Sequence, residues 1–382
     1  MKILLCARRY PPDVWSGTET VFQALYEAAR ERHEVRLVVG WTRARHMVPS
    51  EAVAVELRGL GKARRWARMS RAILSEARRF CPDVVLSNSI EVPPTGFPTA
   101  CIVHDLNFGE AAGMHIASTV AGRAKAAFYA TRARGLDAVI TVSEASARVL
   151  AQAGVPADKV RVIHNGVDLD RFCVGDGHAD PGTGSPEAPV HFAYPSRILP
   201  GKGQHHAVDA VARLPRDHKR RALLTVVGAS IDPVYLDQLR VQAFEQPVAF
   251  AVDVPEIAPY YQAADVILFP TVMDEGFGFT AVEAMACGKP VIYFDQPAIR
   301  EATGGHGLPV PRGDVQALRQ AMMRLMDDPA LRRRLGEDGR RHVQAHLSWD
   351  TVWQRYETVL GSVTRPARAA AGGRGPGMEA SG

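Results

Sequence analysis

The richest chemistry in this chain lies in nine residues, Glu275-Gly-Phe-Gly-Phe-Thr-Ala-Val-Glu283. They follow an apolar β-rich run and open a segment of helical period that extends to about Ala286. Two glycines permit a tight turn whose backbone N–H groups can approach a ligand, and the helix start behind them favours an anion or electron-rich oxygens. A sugar or phosphate suits a loop of that kind, built here from Gly276, Phe277, Gly278 and Phe279. Glu283, about two turns into the helix, can point back to the same crevice, and a carboxylate pair suits the vicinal hydroxyls of a sugar or ribose. On spacing alone, Glu275 also reads as a helix N-cap and Glu283 as a solvated helix carboxylate.

Other reactive side chains fall at the ends of apolar runs. His104 ends the run Thr99–Val103, and strand C-termini are where α/β sheets bind ligands, although a lone His there is more often structural. Ser143 ends a comparable run and reads equally well as the N-cap of a helix starting at Glu144. Two metal-like patterns are weak. Asp168-Leu-Asp170 sits in an Asn-Gly-Val-Asp turn, and His205-His206 are adjacent, so on a helix they diverge instead of forming the i, i+4 pair that zinc favours. No G-x-G-x-x-G follows the first strand, which counts against a nicotinamide or flavin enzyme.

These residues need a scaffold, and 382 residues at 41.5 kDa predict two to three domains. Apolar residues make up 46% and charged residues 23%, enough for ordinary globular cores. Five scattered Cys form no C-x-x-C pair and fit a reducing cytosol. The first five apolar residues stop at Arg8-Arg9 and read as a buried strand, and no stretch of about 18 apolar residues exists to span a membrane. Short β runs alternate with helical stretches throughout, the pattern of parallel βαβ sheets. The expected division is an N-terminal domain at 1–174, a Gly/Pro-rich linker at 175–189 and a second βα domain at 190–345. A helix at 346–361 follows, carrying Trp349, Trp353 and Tyr356 on one face, and then a disordered tail at 362–382. Residues 1–174 hold 24 Lys and Arg against 17 Asp and Glu, whereas the remainder holds 22 against 24, so the first half is the likelier side for anionic partners. Leu136-Asp-Ala-Val-Ile-Thr-Val-Ser143 echoes Ala264-Asp-Val-Ile-Leu-Phe-Pro-Thr271, each an Asp entering an apolar strand.

The two Glu separated by seven residues, with Glu283-Ala-Met-Ala-Cys-Gly-Lys-Pro-Val-Ile292 continuing from the second, resemble the donor-site signature of family 4 retaining glycosyltransferases of GT-B fold. The likeness continues in order through Pro11-Pro12, Gly17-Thr18-Glu19, His104-Asp105, Asn165-Gly-Val-Asp168, Ser196-Arg197 with Lys202-Gly203, and Ala264-Asp265-Val266, covering about residues 1–360. It implies two Rossmann-like domains facing across a cleft, the last helix returning to the first domain. The second domain then binds a nucleotide sugar and the first an acceptor. By the same likeness Glu283 holds the ribose hydroxyls, and Glu275 with the Gly276–Phe279 amides contacts the transferred sugar. Arg197 and Lys202 form a basic pair on the diphosphate. That pairing also makes chemical sense unaided, because a leaving diphosphate gains charge. Gly17 approaches from the other domain, His104 lies beside the donor sugar, and Ser143 lies near the reaction centre.

The implied reaction is transfer of a glycosyl group with retention and without a catalytic metal or other cofactor, the nucleotide sugar being a co-substrate. A GT-B epimerase or phosphorylase, or a non-catalytic sugar-nucleotide-binding subunit, are the competing readings. The chain departs from the family pattern at Leu86-Ser-Asn88, where a His is frequent, and at Phe250-Ala-Val-Asp-Val254, where a Gly is common. No nucleic-acid partner is expected. Between Leu60 and Phe80 seven Lys and Arg face a single acidic Glu76, while Trp66, Met69, Ile73, Ala77 and Phe80 recur at helical spacing. Such a helix either packs its stripe on the sheet or lies on an anionic bilayer. The first use is favoured, so the expected acceptor is a soluble sugar or natural product before a lipid. The expected location is cytoplasmic, with the inner membrane face as the alternative.

Overall fold

The computed structural model describes residues 1–11, 17–43, 48–104, 120–175 and 189–364. Its first unit runs β1 (Lys2–Ala7), α1 (Gly17–Arg30), β2 (Glu34–Trp41), β3 (Val53–Glu56), α2 (Lys62–Phe80), β4 (Val84–Ser87), β5 (Thr99–Val103), α3 (Val120–Arg134), β6 (Ala138–Thr141), α4 (Glu144–Gln152) and β7 (Val160–Val162). The second unit runs β8 (Val190–Pro195), α5 (Gln204–Ala212), α6 (Arg216–Arg221), β9 (Ala222–Gly228), α7 (Pro233–Gln242), β10 (Val248–Val252), α8 (Ala258–Ala263), β11 (Val266–Phe269), α9 (Phe279–Ala286), β12 (Val291–Phe294), α10 (Pro297–Ala302), β13 (Leu308–Val310), α11 (Val315–Asp327) and α12 (Pro329–His346). A last helix, α13, spans Trp349–Thr364.

The strands form two sheets, a seven-stranded one in the order β3-β2-β1-β4-β5-β6-β7 and a six-stranded one in the order β10-β9-β8-β11-β12-β13. All pairings within them are parallel, and both are flanked by helices, the GT-B architecture. Burial on both faces explains the near-continuous apolar runs of β1, β4, β5 and β11. β13 escapes the sequence pattern because it has three residues and contains Pro309, a residue tolerated in a sheet only where its missing N–H is not needed. It forms the edge of the second sheet.

The repeated strand entry has a physical cause. Asp137 and Asp265 each precede a strand and accept an N–H at the start of the neighbouring one, Thr99 N to Asp137 Oδ2 and His191 N to Asp265 Oδ2, both at 2.7 Å. Asp83 does the same for Lys2 N at 2.8 Å. In all three cases the Asp N–H returns a bond to the same residue's carbonyl. The clamp fixes register at the strand start and satisfies a backbone donor with a charged acceptor.

The helix α13 packs on the first unit. Val352, Trp353, Tyr356 and Leu360 lie in one core cluster with β1, α1 and Ile163. Residues 362–364, expected to begin the tail, are instead its last turn, and 365–382 lie outside the described residues. The crossing into the second unit also differs from the composition-based boundary. Ile163 belongs to the first core while Val167 and Phe172 already belong to the second. The backbone therefore crosses at 164–166, ahead of the Gly/Pro-rich stretch, of which 176–188 lie outside the described residues. The two crossings meet: Val167 N donates to Leu347 O at 2.8 Å, and Val167 bridges Ser348.

Candidate active site

In a parallel sheet the crevice forms where strand order reverses, at the carboxyl ends of the two strands concerned. For the second sheet these are β8 and β11. The segment after β8 carries Arg197 and a single 3-10 turn, Pro200–Lys202, and the segment after β11 carries Thr271 to Gly278. Their side chains meet. Lys202 Nζ lies 2.6 Å from Glu275 Oε1, both side chains only 12–13% exposed, and Thr271 Oγ1 donates to the same oxygen at 2.8 Å. Gln296, just before α10, anchors the loop by donating to Thr271 O and Met273 O and accepting from Glu275 N.

Beyond Glu275 the loop turns into α9 through Gly278, whose φ of +100° only glycine adopts without strain. Gly278, as the cap residue, has no side chain to offer this helix start. Phe279, its first residue, packs on the cores of both units, and the start of α1 at Gly17 lies against its ring, 3.2 Å from where a Cβ would stand. Phe277 is buried against it, with ring centroids 5.3 Å apart. Gly276 is a point of close approach between the units. A Cβ there would lie 2.8 Å from the His104 carbonyl oxygen, so any larger residue would push the domains apart.

His104 follows β5 and is 9% exposed. Its Nε2 lies 2.9 Å from Asn88 Oδ1. That oxygen can only accept, so Nε2 carries the ring proton and Nδ1 keeps its lone pair. Burial pushes the imidazole down to about 4, so it is neutral at pH 7. Ser143 follows β6 and is fully buried, its Oγ capping α4 by accepting from Ser146 N at 3.1 Å and donating to Ser146 Oγ at 3.0 Å.

Glu283 lies one turn into α9, half-buried, and not two turns in, because the helix starts only at Phe279. Tyr261 donates to its Oε2 at 2.6 Å. Burial raises its carboxyl above the usual range, against the pull of the Tyr261 hydroxyl and of Arg171. Arg171 is itself tied to Glu256 Oε1 at 2.9 Å. Arg197 is exposed, and among the described residues its guanidinium makes no hydrogen bond or ion pair, its carbonyl alone being held by Gln204.

The loop residues, His104 and Gly17 are thus brought into contact, and Lys202 is joined to Glu275. Arg197 and Glu283 stand apart, bonded to none of these groups among the described residues. Sequence reasoning missed Gln296, Tyr261 and Asn88. The strand-end rule reaches Gln296 and Asn88, which lie two residues past Phe294 and one past Ser87. It also missed Glu301 on α10, whose two carboxylate oxygens accept the Glu144 N–H at 2.8 and 2.9 Å and whose Oε1 lies 2.7 Å from His164 Nε2. The Asp168 carboxylate accepts from the N–H groups of Asp170 and Arg171, closing its own turn. His205 Nδ1 lies 2.8 Å from Tyr235 Oη.

Residues 179–342 match the family model of glycosyl transferases group 1, and residues 15–171 match that of Glycosyltransferase Family 4. The chain is 34% identical over 210 residues to a D-inositol 3-phosphate glycosyltransferase of Jonesia denitrificans, covering 50% of this chain and 49% of that protein. It is 31% identical over 227 residues to an MMP alpha-(1->4)-mannosyltransferase of Mycolicibacterium hassiacum, covering 58% and 53%. It spans about half the length of these relatives. A glycogen synthase of Mycobacterium tuberculosis aligns at 27% identity over 85% of this chain and 77% of its own length. Among solved structures, Anabaena Alr3699/HepE in complex with UDP superposes with a TM-score of 0.76 at 22% identity, covering 95% of this chain and all of the other. A sucrose-phosphate synthase from Thermosynechococcus elongatus superposes with a TM-score of 0.74 at 23% identity, covering 97% and 99%.

Proposed function

The chain belongs to glycosyltransferase family 4, and on that premise we propose that it moves a glycosyl group from a nucleoside diphosphate sugar to an acceptor hydroxyl, with retention of anomeric configuration. The observation that carries this reading is the Lys202–Glu275 pair at the reversal point of the second sheet, under a glycine loop that touches His104 of the first. In this reading the diphosphate lies between Arg197, Lys202 and the uncapped start of α9. Its negative charge grows as the glycosidic bond breaks, and fixed cations and N–H dipoles then stabilise the transition state more than the ground state. These groups take the part a metal ion plays elsewhere, so the reaction proposed needs no metal. UDP and UDP-glucose, held by structural neighbours, are the model donors.

Glu283 offers Oε1 to the ribose diol while Tyr261 holds Oε2. The sugar lies between Glu275 and His104, whose neutral ring bonds a hydroxyl without adding charge. Glu275 is committed to Lys202 and Thr271, a poor arrangement for a covalent nucleophile. Retention is accordingly assigned to same-face attack, in which the departing phosphate takes the acceptor proton. A soluble saccharide or natural-product acceptor, in the cytoplasm, is preferred to a lipid. Met69, Ile73, Ala77 and Phe80 of α2 are buried in the core, and among the described residues no helix is long and apolar enough to cross a membrane.

The test is thermal shift with UDP, GDP and ADP, followed by turnover of UDP-glucose and GDP-mannose with and without acceptor. A nucleotide that raises Tm and a product of retained configuration by NMR are expected. Inverted product, or turnover independent of acceptor, overturns the reading.

A further inference from the structure

The first sheet has its own reversal point, between β1 and β4, and a crevice lies there that no part of the donor site uses. Its floor is formed by the ends of the two strands, Ala7 and Ser87 among them, and its far wall by α2. Ser87 and Ser89 line it, while Asn88 between them turns the other way to hold His104. The crevice is therefore one residue removed from the group that flanks the transferred sugar.

Trp66 is the anomaly of α2. The other members of its apolar stripe are buried to 8% exposure or less, but Trp66 remains 44% exposed at the helix end that faces the strand termini. It is not loose. Its Nε1–H donates to Glu91 O at 2.9 Å, which sets the indole as a fixed wall. The opposite side of the same loop is held by Arg132 of α3, which bonds Ile90 O and Val92 O. Across the rim, Arg8 Nη1 pairs with Glu91 Oε2 at 2.8 Å. Among the described residues these two are the charged ones lining the crevice, and they neutralise each other.

We propose that the acceptor rests on the rim of this crevice, whose interior of about 30 Å³ has room for little more than a water, and that the acceptor is a neutral alcohol with a flat apolar face, such as an aryl glycoside, and not a phosphorylated polyol. An ordered, half-exposed indole on the rim stacks a ring at little conformational cost, and the Arg8–Glu91 pair beside it bonds hydroxyls in both directions. A phosphate would have to separate that pair and leave the Glu91 carboxylate facing a like charge. The assignment rests on glycosyl transfer as the activity and goes beyond it by naming the acceptor class.

The experiment compares p-nitrophenyl glucoside with inositol phosphate and glucose phosphate as acceptors, using UDP-glucose and GDP-mannose as donors. Transfer to the aryl glucoside is expected to dominate. Trp66→Ala raises its KM about tenfold while the donor KM holds within about twofold, and Trp66→Phe restores most of the loss. Glu91→Gln frees Arg8 and moves preference toward the phosphates. Preferred use of a phosphorylated acceptor by the wild type, or an unchanged acceptor KM in Trp66→Ala, overturns the proposal. If neither donor is turned over, the transferase reading fails separately. Saturation-transfer NMR with p-nitrophenyl glucoside then tests the crevice alone: signal lost in Trp66→Ala supports it, and equal signal overturns it.

Discussion

Glu301, on the second domain, places both carboxylate oxygens on the backbone N–H of Glu144 in the first, at 2.8 and 2.9 Å. A helix start carries unsatisfied N–H groups and a partial positive charge, so the carboxylate caps α4 from across the cleft. The same side chain reaches His164 at 2.7 Å. At the other end of α10, Gln296 organises the loop that holds Glu275, and Ile299 packs against Gly278. One short helix thus touches the donor loop with its first turn and the opposite domain with its last, so domain closure and donor-loop order are mechanically joined.

Glu301→Ala should therefore lower kcat about tenfold, the loss expected for one charge-assisted contact, while nucleoside diphosphate affinity changes less than about threefold. Isothermal titration and initial rates separate the two. A fall in affinity matching the fall in kcat would place Glu301 in the donor site and not in the latch.

The latch has a pH sense. Burial pushes the Glu301 carboxyl up, but the His164 hydrogen bond and the Glu144 amide outweigh it and hold it below its usual value of 4.5. A carboxylate depressed in the folded protein contributes stability that is complete above the unfolded value and is lost as pH falls through the folded one. Small-angle scattering should thus show the domains separating below about pH 4.5 in the wild type. Glu301→Gln should look partly open at neutral pH and respond less to acid.

Lys202 and Glu275 form a coupled pair, and their substitutions should not add. Lys202→Ala or Glu275→Gln alone should each cost roughly ten- to a hundredfold in kcat/KM, from about 1.5–3 kcal/mol for a charge-assisted contact. The double variant should lose much less than the product of the two. Strict additivity would mean that the side chains act on separate parts of the substrate.

How much of this was legible in the sequence depends on the distance over which each residue acts. The loop Glu275 to Glu283 announced itself because two glycines and two carboxylates lie within nine residues, whereas Lys202 was picked out only through the family resemblance. That Lys202 bonds Glu275 could not be read, since 73 residues separate them and parallel strands carry no mark of their order in the sheet. Glu301 is further still from Glu144, 157 residues, and sits in a helix whose composition is unremarked. Trp353 was legible as part of a stripe needing a partner, yet which domain supplied that partner came from the family resemblance alone. Ser143 was read both as a site residue and as a cap, and the bonds it makes are those of the cap.

Trp353 is fully buried among residues of β1 and α1, although it comes from the far end of the chain. Truncation before Ser348 should expose that core, and Trp353→Ala should cost about 3–5 kcal/mol through the cavity it leaves. Denaturant unfolding followed by near-ultraviolet circular dichroism measures both. Removal of residues after Thr364 should leave the midpoint unchanged. Equal midpoints for the two truncations would mean that α13 contributes nothing to the first core.

His104 gives the last prediction, because its ring is held neutral by burial and its tautomer by Asn88. In the folded protein the imidazole titrates at about 4, against 6.5 when unfolded. Between those values the unfolded chain binds a proton that the folded chain does not, so stability rises with pH through this window and is complete above it. Lowering the pH from 6.5 toward 4 should then cost stability, and His104→Gln should reduce the slope of Tm against pH. His206, also pushed to about 4 by burial, preserves the remaining slope with the same sign. Asn88→Asp sets a carboxylate against Nε2, raises the imidazole and should flatten the slope further by stabilising its charged form. It should also bring a titration of kcat into the neutral range, where the wild type has none from this ring. A wild-type slope matched by His104→Gln would mean that the ring takes up its proton as readily in the folded protein as in the unfolded chain, and that burial does not hold it neutral.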